Sequence, residues 1–251
     1  MMIDAARGAA AREVHAIIPY YSFARSDKKD APRISITARL VADLLQTAGA
    51  THVMTMMLHS PQVHGFFSLP IDPLTARGLL ESQFHGRDLD GTIVVAPDIG
   101  AAKSAARFAG GLHLPTIAAD KERLSDTEVR VNPLIRRQVE GYRRAIVYDD
   151  EIATGGSIVT LCQFLVEAGI EQISAVCTHG VFTGQAAERL RSVPEITEII
   201  TTNTVPISDE TRALLPNLTV LSVASIFSEA IRRNYNRESI SSLFVFGDDE
   251  K

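Results

Sequence analysis

The chain has 251 residues, of which 45% are hydrophobic and 22% are charged, and its formal net charge is -5. This composition is typical of a globular protein and excludes a disordered tail, a collagen-like fibre and a small disulfide scaffold. The acidic balance argues against a broad basic surface for nucleic acid, so we expect no nucleic-acid partner. A local cationic site for an anionic metabolite stays open.

The apolar stretches indicate no membrane partner. Residues 92–97 form one of the longest, far short of the roughly 20 residues that a bilayer-spanning helix needs. Residues 1–7 lack the basic start and apolar core of a secretory signal. Cys162 and Cys177 are the only cysteines in the sequence, too few for a disulfide framework, and are interpreted as free thiols. These features predict a cytoplasmic protein.

Strand-like and helix-like segments alternate along the chain. Short apolar runs predict strands at residues 14–18, 52–57, 91–96, 144–148, 173–177, 196–201 and 218–223. Helical spacing of apolar residues predicts helices at residues 34–48, 103–109 and 156–168. This alternation is typical of βαβ units and predicts largely parallel sheets flanked by helices.

Two features concern the domain organisation. Prolines and a glycine accompany a composition change at residues 70–80, which predicts an N-terminal lobe of residues 1–74 and a C-terminal lobe of residues 75–251. We expect the last helices to pack back on the first lobe. Residues 1–11 have the pattern of a helix interior without a capping residue ahead of it. A frayed terminal helix and a missing opening segment are both open as explanations.

The most informative segment joins a strand, an acidic pair and a glycine turn. The predicted strand ends at Asp149 and Asp150, and Thr-Gly-Gly-Ser at residues 154–157 leads into the next helix. The glycines let the backbone approach a ligand closely, and the amides, hydroxyls and helix start favour a phosphate monoester. The two carboxylates can accept hydrogen bonds from two sugar hydroxyls.

These features in this order favour a site for a 5-phosphorylated ribose over a strand–turn–helix corner without a ligand. The predicted site comprises Asp149, Asp150, Thr154, Gly155, Gly156 and Ser157.

This segment resembles the phosphoribosyl-pyrophosphate (PRPP) loop of type I phosphoribosyltransferases (PRTases), and the whole chain resembles the ribose-phosphate pyrophosphokinases, or PRPP synthetases. Further blocks follow in family order at residues 18–30, 58–67, 96–100, 120–123, 178–182, 203–206 and 228–233. The resemblance implies an α/β fold with two type I PRTase-like lobes. It also implies an incomplete N-terminal lobe, because family members carry an opening segment before the position of Met1.

The resemblance implies an enzyme that synthesises PRPP. It transfers the diphosphoryl group of ATP to the 1-hydroxyl of ribose 5-phosphate and releases AMP, with Mg²⁺ as the metal. ATP and ribose 5-phosphate are then the small-molecule partners, and the family's assembly predicts a homo-oligomer, a dimer or a hexamer. One alternative is a catalytically silent subunit that regulates or assembles with an active paralogue. A phosphoribosyltransferase is a further alternative, but it does not explain residues 58–67.

The resemblance also assigns roles outside the loop. Lys121 and Arg123 match a catalytic pair on a flexible loop, where their charges would stabilise the transferring group. A solvated charge run is the alternative for both. Arg25 and Asp30 match residues near ATP, although an ordinary polar loop is also compatible with them. His59 matches a histidine that helps to hold Mg²⁺-ATP, although a lone histidine in an apolar stretch is more often packed in a core.

Asp98 follows a predicted strand at the edge where parallel sheets bind ligands. The resemblance assigns it to the metal or the ribose phosphate, and capping of the next helix is the alternative. Three positions depart from the family pattern: Ser26 replaces a glutamine, and Met57 and Ala153 replace aspartates. A lost carboxylate weakens the organisation of Mg²⁺, which prefers hard oxygen ligands. These departures support the silent-subunit alternative.

Overall fold

The computed structural model describes residues 1–119, 121–123, 129–131 and 134–244, with the backbone alone at 121–123 and 129–131. These residues form two compact units. The first consists of Met1–Ala76 with residues 224–244, and the second of Arg77–Val223. Among the residues described, every helix is too short or too polar to span a bilayer.

Within these ranges the chain forms eleven strands and nine α-helices. The strands are β1 (His15–Ile18), β2 (His52–Met56), β3 (Ile71–Leu74), β4 (Thr92–Ala96), β5 (Thr116–Ala118), β6 (Lys121–Arg123), β7 (Val129–Val131), β8 (Arg144–Ile152), β9 (Gln172–Gly180), β10 (Ile196–Thr202) and β11 (Leu218–Leu221). The helices are α1 (Met2–Gly8), α2 (Thr37–Thr47), α3 (Arg77–Glu81), α4 (Ala102–Gly111), α5 (Leu134–Gln138), α6 (Gly156–Glu167), α7 (Ala186–Arg191), α8 (Asp209–Leu214) and α9 (Ala224–Asn236). Residues Pro61–Phe66 and Ser241–Leu243 form short 3-10 helices.

The first unit contains a three-stranded parallel sheet in the order β1-β2-β3. The central strand, β2, is buried along its whole length, as expected for a parallel strand that is covered on both faces. Strand β3 was not predicted from the sequence because Pro73 interrupts its short apolar run. A proline is tolerated there because β3 is at the edge of this sheet, where one row of N–H groups needs no partner strand.

The second unit is built on a six-stranded parallel sheet in the order β11-β10-β9-β8-β4-β5. Alternate residues of its central strands pack into two different apolar clusters: Ile93 and Val147 belong to one, Val94 and Tyr148 to the other. Burial on both faces explains why these strands are continuous apolar runs in the sequence. The predicted α/β fold with largely parallel sheets is confirmed.

The predicted end of strand β8 is wrong. The apolar pattern stops at Tyr148, but pairing with β9 continues through Asp149↔Cys177 and Ile152↔Gly180. Backbone hydrogen bonds to a neighbouring strand therefore hold acidic residues in an extended conformation that their side chains do not favour. As a result, the acidic pair lies within the last part of the strand and not in the loop beyond it.

Candidate active site

The loop between β8 and α6 is short and tightly packed. Gly155 precedes α6 in a left-handed conformation, with a φ of +72°, which residues with a Cβ rarely adopt. A Cβ at this position would also lie 3.4 Å from the carbonyl oxygen of Ala186, the first residue of α7. The backbone angle therefore favours glycine here, whereas the separation from Ala186 would be an ordinary van der Waals contact.

Two hydrogen bonds fasten this loop to the segment that follows β9. The amide of Thr183 donates to the carbonyl of Ala153 at 2.9 Å. The Arg189 guanidinium donates from Nη1 to the carbonyl of Thr154 at 3.0 Å. The carbonyls of Ala153 and Thr154 are thus directed toward the segment that contains α7. Arg189 lies outside the motifs identified in the sequence, and it is 35 residues from its partner.

The start of α6 has the chemistry of an anion site. The first amides of any α-helix have no acceptor within the helix, and the helix dipole places positive potential at this end. Thr154 and Ser157 are exposed beside these amides. The structure therefore brings the four predicted phosphate-binding residues, 154–157, together at the N-terminus of a twelve-residue helix.

The acidic pair lies at the carboxyl end of β8. Asp149 Oδ1 accepts a hydrogen bond from the Asp150 amide at 2.8 Å, and Asp150 Oδ1 accepts one from the Glu151 amide at 3.0 Å. Burial is the main cause that raises the pKa of Asp149 well above its ordinary value, and the charges of Asp150 and Asp98 raise it further. The carboxylates thus form a region of concentrated negative charge.

Asp98 follows β4, the strand beside β8 in the sheet. One of its carboxylate oxygens, Oδ1, accepts a hydrogen bond from the Ala101 amide at 3.0 Å, in the turn that leads into α4. Asp98 therefore stabilises the turn before α4, whereas α4 itself begins after Ala101 without a side-chain cap. Because β4 and β8 are parallel neighbours, Asp98 lies at the edge of the sheet that carries the acidic pair.

This edge has donor groups suitable for Mg²⁺. Among the described residues, no three histidine, cysteine or acidic side chains converge as a metal cage. Mg²⁺ in phosphate-transfer sites is commonly held by one or two carboxylates, with water and substrate phosphates completing its shell. Asp98 and the acidic pair supply hard oxygen ligands, and a cation here would relieve the repulsion that raises the pKa of Asp149.

Side chains at the ends of β9 and β10 support this edge. His179 Nδ1 is 2.8 Å from the Thr204 hydroxyl, and both side chains are buried. The hydroxyls of Thr202 and Thr204 donate to the carbonyl of Thr178 at 2.7 and 3.2 Å. Two of the family-ordered blocks, at residues 178–182 and 203–206, thus meet in one hydrogen-bond network.

The predicted ATP residues belong to the first unit. Arg25, Asp30 and His59 are all exposed, so the alternative of a packed core histidine at His59 is wrong. The structure joins their two loops through Asp27, a buried carboxylate that sequence analysis did not single out. Asp27 Oδ2 accepts hydrogen bonds from the Ser60 hydroxyl at 2.5 Å and from the Gln62 side-chain amide at 2.8 Å.

Ser26 and Tyr21 attach the first of these loops to the start of α2. The Ser26 hydroxyl accepts a hydrogen bond from the Thr37 amide at 3.1 Å and donates one to the Ser35 carbonyl at 3.2 Å. The Tyr21 hydroxyl donates to the Ala38 carbonyl at 2.7 Å. Ser26, which stands where the family has glutamine, therefore has a structural role, because its short side chain bonds to nearby backbone groups.

Met57 has an unfavourable backbone conformation. It follows β2 with a φ of +38°, and its amide donates to the carbonyl of Leu74 at 2.9 Å. Left-handed geometry costs a residue with a Cβ about 1–2 kcal/mol, whereas aspartate and asparagine tolerate it better. The aspartate that the family has at this position would therefore tolerate this backbone better than methionine does. It would also offer a carboxylate to a metal.

Lys121 and Arg123 lie on β6, which pairs antiparallel with β7 through Lys121↔Val131 and Arg123↔Val129. The segment in which the resemblance places a flexible loop thus contains short paired strands. Their side chains lie outside the part of the chain that the structure describes, as do residues 120, 124–128 and 132–133.

Comparisons with known proteins agree with this architecture. A family model for the N-terminal domain of ribose phosphate pyrophosphokinase matches residues 1–49, and one for the phosphoribosyl synthetase-associated domain matches residues 119–245. A putative ribose-phosphate pyrophosphokinase of Streptomyces coelicolor is 49% identical over 97% of this chain and 76% of its own length. The ribose-phosphate pyrophosphokinase of Deinococcus radiodurans is 47% identical over 98% and 77%.

A solved structure shows the same similarity in three dimensions. The crystal structure of phosphoribosylpyrophosphate synthetase from Mycobacterium smegmatis aligns with a TM-score of 0.85 at 38% identity. The alignment covers 94% of this chain and 76% of that protein. The similarity therefore extends over nearly the whole chain in both sequence and fold.

Proposed function

The chain belongs to the ribose-phosphate pyrophosphokinases, a family of enzymes, and on this premise we propose that it synthesises PRPP from ATP and ribose 5-phosphate. The 1-hydroxyl oxygen of the sugar bonds to the β-phosphorus of ATP, and the bond from that phosphorus to the α,β-bridging oxygen breaks. AMP leaves with that oxygen, and the hydroxyl proton is released. One observation carries the proposal: the phosphate loop, residues 154–157, and the three carboxylates all lie at the carboxyl ends of the adjacent strands β4 and β8.

Ribose 5-phosphate is proposed to bind at the start of α6. The amides and hydroxyls of residues 154–157 would bind the 5-phosphate, since they combine free helix donors with exposed side-chain oxygens. Asp149 and Asp150 precede them along the chain and would accept hydrogen bonds from the ribose hydroxyls. A sugar that carries a phosphate and a neighbouring pair of hydroxyls would bind to the loop residues and to the acidic pair at the same time.

Mg²⁺ is proposed as the metal, with His59 and Asp98 as the residues that the family resemblance assigns to it. When bound, the ion neutralises charge on the phosphate oxygens. The described residues prepare this role by placing carboxylates together in a partly buried setting. The raised pKa of Asp149 means that a cation would favour its ionised form.

Binding of ATP is proposed for the first unit, the lobe predicted at residues 1–74. Arg25 would contact the phosphates and Asp30 would lie near the nucleotide. Asp27 supports both this loop and the loop of His59 by its two hydrogen bonds. Lys121 and Arg123 are proposed to stabilise the negative charge of the transferring group. A homo-oligomer and a cytoplasmic location remain predictions of the same proposal.

A catalytically silent subunit is the second candidate, and Met57 is the observation that favours it. The residue lacks the family carboxylate and has a left-handed backbone that aspartate tolerates better. Ala153 likewise stands where the family has an aspartate, so a second carboxylate is missing beside the sugar-phosphate loop. Such a chain would keep the ribose 5-phosphate site while losing part of the organisation needed for turnover.

Two measurements separate these candidates. The first is AMP formation from ATP and ribose 5-phosphate with Mg²⁺ and inorganic phosphate, with PRPP measured in the same samples. We expect AMP and PRPP in equal amounts, and a large loss of turnover in Lys121→Ala with an unchanged melting temperature. The second is ribose 5-phosphate binding by calorimetry. Binding without turnover would identify the silent subunit, and absence of both would overturn the proposed function.

A further inference from the structure

Arg189 lies beside the phosphate loop, although the sequence gives no sign of it. It projects from α7, and its Nη1 donates to the carbonyl of Thr154 at 3.0 Å. The same nitrogen would lie 3.9 Å from a Cβ added at Gly156. The guanidinium therefore lies beside the loop and donates a hydrogen bond to one of its backbone carbonyls.

We propose that Arg189 is a positioning residue that sets the backbone of the phosphate loop for the sugar 5-phosphate, an inference that rests on the proposed function. The peptide bond between Thr154 and Gly155 is planar, so its C=O and N–H point in opposite directions. When Arg189 holds the carbonyl toward α7, the Gly155 N–H is directed away from α7. The arginine thereby fixes the direction of an amide that the ligand would use.

The loop needs such a partner because its own sequence does little to restrict its backbone conformation. Gly155 and Gly156 lack side chains, and glycine has more accessible backbone conformations than any other residue. A hydrogen bond from a charged donor is stronger than one between neutral groups and therefore restricts the carbonyl more. Arg189 also adds a positive charge near a site for an anion, so positioning and charge must be separated by experiment.

Three variants separate them. Arg189→Met keeps much of the length of the side chain and removes both the donor and the charge. Arg189→Lys keeps the charge and can supply one hydrogen bond. Arg191→Met removes the same charge from an exposed position two residues further along α7, which makes it the matched control.

We first measure ribose 5-phosphate affinity by calorimetry. We expect Arg189→Met to weaken binding by at least about tenfold, Arg189→Lys to recover most of this loss, and Arg191→Met to stay within about twofold of wild type. In turnover, Arg189→Met should raise the KM for ribose 5-phosphate and leave the KM for ATP nearly unchanged. Equal losses in the 189 and 191 methionine variants would show a general charge effect and overturn the inference.

A second measurement needs no ligand. We expect hydrogen exchange of the amides of residues 154–158 to be faster in Arg189→Met than in wild type and in Arg191→Met, with the central strands unchanged. Unchanged exchange in the loop would overturn the positioning role. If wild type binds no ribose 5-phosphate, the proposed function fails, whereas the exchange result still decides whether Arg189 orders this loop.

Discussion

Asp149 Oδ1 accepts a hydrogen bond from the backbone amide of Asp150 at 2.8 Å, so neighbouring acidic residues in one strand are joined by one backbone contact. The contact holds the first carboxylate near the main chain, in a partly buried position close to the charge of Asp98. An arrangement that crowds negative charge reduces the stability of the fold unless a cation binds there. We therefore expect this site to trade stability for ligand binding.

The first prediction concerns the pH dependence of stability at Asp149. Its raised pKa means that the folded protein holds this proton more tightly than the unfolded chain does. The stability that comes from this tighter proton binding is fully present below the ordinary carboxyl pKa of about 4. It is lost as the pH rises through the raised pKa of Asp149. Asp149→Asn should therefore increase the free energy of unfolding at pH 7 by about 1 kcal/mol and abolish ribose 5-phosphate binding.

Urea unfolding between pH 5 and 8, without divalent metal, tests this prediction. Asp88→Asn is the control because hydrogen bonds from the Asp90 amide and Arg144 lower the pKa of Asp88. That variant should show no gain in stability at any pH in this range. A loss of stability in Asp149→Asn that grows with pH would contradict the burial of its charge.

The second prediction separates two effects of a glycine substitution. Gly155→Ala should lower stability by about 1–2 kcal/mol because of its left-handed φ, and should also weaken ribose 5-phosphate binding because relief of that strain would move the loop amides proposed to bind the phosphate. Gly169→Ala is the matched control, with a φ of +102° and no atom within 4 Å of its added Cβ. Thermal unfolding should place both variants below wild type, whereas only Gly155→Ala should lose affinity in calorimetry.

The third prediction concerns the strained residue after β2. Met57→Asn should raise the free energy of unfolding by about 1 kcal/mol, because asparagine tolerates the left-handed backbone that Met57 adopts. Met57→Asp should give a similar gain and, if this position organises Mg²⁺-ATP, a lower KM for ATP. Met57→Leu keeps a Cβ without a polar group and should show neither gain. Equal stabilities of the leucine and asparagine variants would contradict backbone strain as the cause.

The fourth prediction tests the buried link between the two loops of the first unit. Asp27→Ala removes the acceptor of the Ser60 and Gln62 hydrogen bonds and should cost about 1–3 kcal/mol. It should also raise the KM for ATP while leaving calorimetric binding of ribose 5-phosphate unchanged. A double-mutant cycle with Ser60→Ala measures the coupling. Additive effects would show that the hydroxyl contact contributes no stability of its own.

The phosphate loop could be predicted because it is local. The strand, the acidic pair, the two glycines and the helix start are contiguous between residues 144 and 167, so their order in the sequence is also their order in space. The apolar runs of β4 and β8 likewise predicted buried parallel strands, since burial on both faces leaves no polar positions. The ends of strands were predicted less accurately where pairing with a neighbouring strand extended a strand into polar residues, as at Asp149.

Contacts between distant residues could not be read from the chain. Ser60 is 33 residues from Asp27, and Arg189 is 35 residues from Thr154. Ordinary polar residues at such separations are joined only when packed strands and helices fix their distance. The sequence by itself thus determined the α/β pattern, the family and the candidate residues of the loop between β8 and α6. The tertiary structure alone decided which buried carboxylate joins the two loops of the first unit and which arginine bonds to the loop between β8 and α6, because both depend on chain segments that meet only after folding.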